Sequence, residues 1–269
     1  MQDNQDKQNK VVMILVDGMR PDGLLQCGNQ FALQFAETAL CDLCAKTVMP
    51  SVTLPCHMSL FHSVPPERHG VTTNVFSPMV RPVDGLIEQL DKYDKKCAAF
   101  YCWEELRDVS RPDHLHMQIC INMHKYDHTD AMISEFALSY IRDEKPDFAF
   151  VYLGETDELG GHDNGWMSSR YLNCVRNAWD CIEHICDGLP EEYSIIVLAD
   201  HGGHDRVHGT DAPSDMTIPI MFNGPSFDPD QPVRGSAEGG HISIMDVAPT
   251  ITKLLGVPAA KEWEGVSII

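Results

Sequence analysis

The sequence predicts an α/β fold: a three-layer sandwich with a mainly parallel central sheet and helices on both faces. Three observations carry that expectation. Apolar strand-like runs alternate along the chain with segments of helical period. The runs are apolar throughout rather than alternating, as strands buried on both faces must be. Several of them end in or near an Asp, at the carboxyl end, where open α/β sheets bind their ligands.

Taken in order, KVVMILVDG (10–18) is a continuous apolar run closed by Asp-Gly. KCAAFYCW (96–103), DFAFVYLG (147–154) and YSIIVLAD (193–200) repeat the pattern. MTIPIMFNG (216–224) is a fifth candidate, and its Pro219 suggests an irregular or edge strand. Helical patterns are expected at 83–91, from after the polar residues 127–130 to Arg142, at 168–187 and at 244–255. The last has Gly256 as its stop signal and Pro258 beyond it. Residues 1–9 read as a polar flexible tail and 10–269 as one catalytic domain, with no repeat, linker or low-complexity tract.

Composition narrows the function. The 269 residues carry a formal net charge of -20, which repels a nucleic-acid polymer but not a small anion that meets bound cations. No apolar stretch is long enough to span a membrane, and the polar N-terminus lacks the apolar core of a secretory signal. The 10 cysteines then read as reduced thiols in a cytoplasmic protein, Cys41 and Cys44 of the single CxxC included.

Three segments concentrate chemistry-bearing residues. ADHGGHDRVHG (199–209) closes a strand with Asp200 and His201, an oxygen and a nitrogen suited to a divalent ion, with His204 and His208 following. ETDELGGHDNGW (155–166) adds Asp157 and His162, with Glu155, Glu158 and Asp163 as competing carboxylates. In SVTLPCHMSLFHSVPPERHG (51–70), Thr53 stands at the start of a helical pattern with Pro55 in its first turn. It is there either as a helix cap or as a hydroxyl poised where free N–H groups receive a phosphate.

Those residues, in that order, resemble the type I phosphodiesterase/nucleotide pyrophosphatase branch of the alkaline phosphatase superfamily. The motifs are VDGMRPD, TLPCHMSLFHSVPPERHGVTTN, TDELGGHDNGW, ADHGGHD and VHGTD followed by MTIPIMFNGP, and they cover nearly the whole chain from Val11 to Gly256. The resemblance implies an alkaline-phosphatase-like fold and two divalent metal ions, most readily Zn2+ with Mn2+ as an alternative. One ion would be held by Asp17, Asp200, His201 and the Thr53 oxygen, the other by Asp157, His162 and His208. It implies Thr53 as nucleophile, through a phospho-threonine intermediate, and Asn74, 21 residues later, as the amide that orients a substrate phosphate oxygen. The implied substrate is a small phosphate ester.

The sequence departs from the family pattern at three points. Asp157 and His162 are five apart where the family has four, so Glu158, four from His162, competes as ligand. Cys56 stands where nucleotide-cleaving relatives often have Asn. The chain is also short for a large cap. A phosphomonoesterase, a phosphomutase on the same scaffold and an inactive metal-stabilised binding module are the competing readings; mutases of the superfamily use Ser and an inserted domain. His57, His62 and His69 are expected to support packing and hydrogen bonding, and Trp166 and Phe76 to border the substrate.

Overall fold

The computed structural model describes residues 9–269; the expected tail lies almost wholly outside the described residues. Seven strands form one sheet: β1 (Lys10–Val16), β2 (Leu40–Lys46), β3 (Cys97–Tyr101), β4 (Met117–Cys120), β5 (Phe148–Leu153), β6 (Tyr193–Leu198) and β7 (Thr217–Asn223). Their order is β2-β7-β6-β1-β5-β3-β4. Only β7 runs against its neighbours, pairing antiparallel with both β6 and β2. The central strand β1 is parallel to β5 and β6, and every residue from Val11 to Val16 is fully buried. That burial is why the run is apolar without alternation.

The helices are α1 (Pro21–Gln26), α2 (Gln30–Thr38), α3 (Thr53–His62), α4 (Pro66–His69), α5 (Leu86–Asp91), α6 (Thr129–Glu144), α7 (Ser169–Gly188), α8 (Pro213–Met216) and α9 (Val247–Leu254). The group α1, α2, α6 and α7 packs together, and α3, α5 and α9 form a second group; α7 and α9 each reach β1. Helix α9 gives way to Gly256 at φ +69, the left-handed conformation glycine adopts without a Cβ penalty.

The structure differs from the sequence reading at the sheet edges. Strands β2 and β4 and helices α1 and α2 have no counterpart among the expected elements. β4 is four residues long with alternating burial, and β2 carries Asp42 and Lys46, so neither shows the apolar run of a central strand. β7 is not an edge strand, since it lies between β6 and β2. It tolerates Pro219 because β2 has a bulge opposite it, between Asp42 and Ala45, where no ladder donor is required. Asp42 Oδ1 closes that bulge by accepting the Cys44 N–H at 2.9 Å.

The carboxyl ends of β1, β5 and β6 lie side by side at the sheet centre, so the loops after them face one crevice. The loop after β1 is held from α7: the Tyr171 hydroxyl donates to Gly18 O at 2.9 Å and accepts the Arg20 N–H at 2.8 Å. Tyr171→Phe therefore leaves the Arg20 N–H without its acceptor and Gly18 O with one donor fewer, and should cost about 1–3 kcal/mol. Denaturant unfolding checks this, and unchanged stability would mean the turn holds itself.

Candidate active site

The three loops deliver three buried Asp side chains to one point. Asp17, Asp157 and Asp200 each retain a carboxylate oxygen with no hydrogen-bond partner: Asp17 Oδ1, Asp157 Oδ1 and Asp200 Oδ2. The other oxygens are occupied. The buried phenol of Tyr152 donates to Asp17 Oδ2, and Asp200 Oδ1 accepts the Gly18 and His201 N–H groups at 3.2 and 3.0 Å. Burial drives all three carboxyls upward, Asp200 to about 7, and for Asp17 and Asp157 the charges of the neighbouring aspartates add to the effect.

The histidines face these oxygens with lone pairs. In His162, His201 and His208, Nδ1 lies 3.0, 2.8 and 2.9 Å from the carbonyls of Arg206, Gly202 and Ser51. A carbonyl only accepts, so Nδ1 carries the proton and Nε2 is left as an acceptor, the arrangement common to metal-binding histidines. His201 Nε2 lies 3.3 Å from Asp17 Oδ1 and 3.5 Å from Asp200 Oδ2. His162 Nε2 lies 3.3 Å from Asp157 Oδ2, and His208 Nε2 4.0 Å from Asp157 Oδ1. The His201 and His208 rings stack 3.9 Å apart, and burial lowers both pKa values, His208 to about 3.

Unprotonated nitrogens and carboxylate oxygens at these separations repel unless a cation stands between them. Donors about 2.0–2.1 Å from a tetrahedral ion are roughly 3.3 Å from one another. Two donor groups gather at such a point, Asp17/Asp200/His201 at close to that spacing and Asp157/His201/His208 more loosely, with His208 4.0 Å from Asp157. The residues present therefore fit divalent ions. A third group, Asp42/Cys44/His241, sits apart on β2, where backbone N–H groups of Cys44 and Ile242 and the His241 ring already engage Asp42. His204 is likewise committed, with Nδ1 2.7 Å from Asp215.

The five-residue spacing of the second motif has a local cause. Thr156–His162 is a π-helix, whose i→i+5 repeat brings Asp157 and His162 onto one side. Asp157 points inward, whereas the Glu158 side chain is 40% exposed, 4.0 Å from His124. Trp166 packs over this turn: a Cβ at Gly161 would lie 2.6 Å from the indole, and one at Gly203 2.3 Å from it. Its Nε1 donates to Gly18 O at 2.9 Å. Trp166 thus ties the three loops together; it is buried, packs on the His162 and His208 rings and is not among the residues that line the cleft.

Thr53 opens α3, but it is not the helix cap. Val52 occupies that place, and the Thr53 hydroxyl turns to His201 Nε2 at 3.1 Å. Asn74 reaches the same helix start, its Oδ1 accepting the Leu54 N–H at 3.0 Å. Thr53, Asn74, Asp17, Asp157, Glu158, His162 and His208 line one cleft of about 90 Å³, walled also by Trp103 and Met123. The sequence reading missed those two and Tyr152; only the need of a buried phenol for a partner hinted at the last. Phe76 lies outside this cleft, on neighbouring cavities. The three histidines expected to support packing are hydrogen-bonded within or beside α3: His57 to Thr53 O, His62 to Met58 O, His69 to Ser59.

The family model of the type I phosphodiesterases/nucleotide pyrophosphatases matches residues 11–101 and 85–211, which carry every residue of this cleft. The chain belongs to that family. It is 27% identical to a phosphopentomutase of Acetivibrio thermocellus over 143 residues, 53% of this chain and 34% of the mutase. It is 32% identical to a 2,3-bisphosphoglycerate-independent phosphoglycerate mutase of Caenorhabditis elegans over 82 residues, 29% of this chain and 14% of that one. The matched stretches thus span about a third and a seventh of those relatives. The fold is that of murine ectonucleotide pyrophosphatase/phosphodiesterase 5, with TM-score 0.77 and 13% identity over 95% of this chain and 98% of that one. No helix among the described residues is long and apolar enough to cross a membrane, and all ten cysteines are free thiols.

The carboxyl shifts set a sign for the metal-free protein. An Asp whose folded pKa is raised is stabilising while protonated, fully below about 3.9, and the contribution is lost as pH rises through the folded value. With Asp200 near 7, its contribution to the melting temperature of chelator-treated protein should fall away between about pH 4 and 7 and level off above that. His201 and His208, buried neutral, act in the opposite direction as pH falls below about 6.5, so the Asp200 contribution is read as a difference between two proteins. Asp200→Asn should flatten the slope, and an equal slope in both proteins contradicts the assignment.

Proposed function

We propose that the chain is a metal-dependent phosphoric ester hydrolase of phosphodiesterase/nucleotide pyrophosphatase type. It uses Thr53 as nucleophile on a small phosphate ester. The observation that carries the reading is the Thr53 hydroxyl itself. It starts a helix without capping it and faces His201 amid three unpartnered carboxylate oxygens. A threonine replaced by alanine is what the murine relative's structure describes as inactive and in complex with AMP.

Asp17, Asp200, His201 and Thr53 would hold one divalent ion, and Asp157, His162 and His208 the other, zinc being the best match to this donor set. Bound there, the ions would lower the pKa of the Thr53 hydroxyl and offset charge on the attacking and leaving oxygens. Thr53 Oγ1 then attacks phosphorus in line: the Oγ1–P bond forms, the P–O bond to the leaving alcohol breaks, and that alcohol departs with a proton. Water on the opposite side hydrolyses the phospho-threonine and restores the hydroxyl. The start of α3 and the Asn74 amide meet the non-bridging oxygens. The free thiols support a reducing, cytoplasmic location. A mutase would need the phosphoryl group returned to a second substrate position. The matched mutases are covered only in part, so hydrolysis is the reading preferred.

Protein purified without chelator should carry about two divalent ions per chain. Absence of metal together with no activation by zinc or manganese overturns the proposal. Thr53→Ala should abolish turnover of a nitrophenyl phosphodiester and monoester while elemental analysis still finds metal. Wild-type rates in a folded, loaded variant would return the reaction to direct attack by water. Asn74→Ala should lower kcat by about 10²–10³, equivalent to about 2.7–4 kcal/mol, with metal content intact. Full activity on both substrates would remove Asn74 from the mechanism.

A further inference from the structure

The helix that begins at Thr53 runs on past a second cavity, of about 360 Å³, that the phosphoryl chemistry does not use. Met58, Phe76, Pro78, Met79 and Val83 supply apolar walls. At its base lie two polar side chains, His62 and Glu88, each only 3% exposed. Glu88 Oε1 accepts the Arg111 backbone N–H, but Oε2 has no partner. His62 Nδ1 is 3.0 Å from Met58 O, so it carries the proton and Nε2 presents a lone pair.

The space between those two acceptors is kept open by Gly85. Its φ of -80 suits any residue, so the backbone does not require glycine. A Cβ there, however, would stand 2.6 Å from Glu88 Oε2 and 3.1 Å from His62 Nε2. Glu88 Oε2 is buried with no donor, which is costly as it stands, and His62 Nε2 faces the same gap as a second acceptor. The occupant they suit is one that brings N–H donors and positive charge. The lining holds three carboxylates, Asp84, Glu88 and Asp108, beside Lys92, Arg111 and His114; Lys92 is paired with Asp84 and His114 with Asp91, outside the lining.

We propose that this cavity binds a small organic cation, an ammonium group on an apolar body, with Glu88 and His62 accepting its N–H groups. The nine residues from Thr53 to His62 rise about 14 Å along the helix, at about 1.5 Å each, so the floor of the cavity is well separated from the nucleophile.

Calorimetric titration of the full, metal-loaded chain with benzylammonium chloride and, separately, with benzyl alcohol tests this. The two probes share one shape and differ in the charged donor. The ammonium should bind at least about tenfold more tightly. Glu88→Gln keeps the side-chain shape and an acceptor for the Arg111 N–H, and should weaken ammonium binding about tenfold or more. Gly85→Ala should do the same by filling the gap. Thermal melting monitors the fold of both variants, and nitrophenyl phosphodiester turnover should be unchanged in Glu88→Gln. Equal affinity for the alcohol, no ammonium binding, or undiminished binding by folded Glu88→Gln overturns the proposal. If a variant fails to fold, the comparison of the two probes on the unaltered chain decides alone.

Discussion

Like charge held in a dry place is the constraint on which this molecule turns. Three aspartates end up buried within one crevice, each with an oxygen that nothing in the protein satisfies. Facing them are imidazole nitrogens whose protons have been drawn to the opposite side of the ring by backbone carbonyls. Such an array is unfavourable as a set of protein groups alone. It becomes favourable when divalent positive charge lies between the donors, and the donor separations of 3.3–3.5 Å around His201 suit that use. The same logic reconciles a phosphate-binding crevice with a chain of net charge -20, because an incoming anion responds to the local field.

Holding the array together is a packing problem, and Trp166 solves much of it. Its indole lies against Gly161 and Gly203, which belong to two different motif loops, and its N–H reaches the carbonyl of Gly18 in the third. The two glycines are there for close approach, since any side chain would collide with the ring. Tyr171 bonds the same Gly18 carbonyl from helix α7. The loops that carry Asp17, Asp157 and Asp200 thus share one rigid support beneath the cleft, while Thr53 and Asn74 arrive from the α3 side.

Helix α3 therefore has two duties. Its first residue presents a hydroxyl to the cleft. Its last turn, with His62, floors a separate cavity whose buried acceptors lack donors. Family membership accounts for the first duty. The second rests on Gly85, Glu88 and His62, which lie outside the metal-binding motifs.

The sequence by itself determined the sheet centre and the cast of the cleft. Runs apolar on every position can only be strands covered on both faces, and Asp residues at their carboxyl ends must converge in a parallel sheet. Motif order then pointed to Asn74 and to seven ligand-type residues, Thr53 among them. The edge strands β2 and β4 were not legible, because an edge is half-solvated and lacks a distinguishing pattern. Only the tertiary structure decided how Asp157 and His162 share a face at a spacing of five. That required a π-turn, whose Gly161 lies against Trp166, and that same indole is met by Gly203 of another loop. Tertiary structure also decided that Thr53 is not the helix cap and that Tyr152 braces Asp17. Side-chain direction depends on what packs against each residue, and those neighbours are distant in sequence.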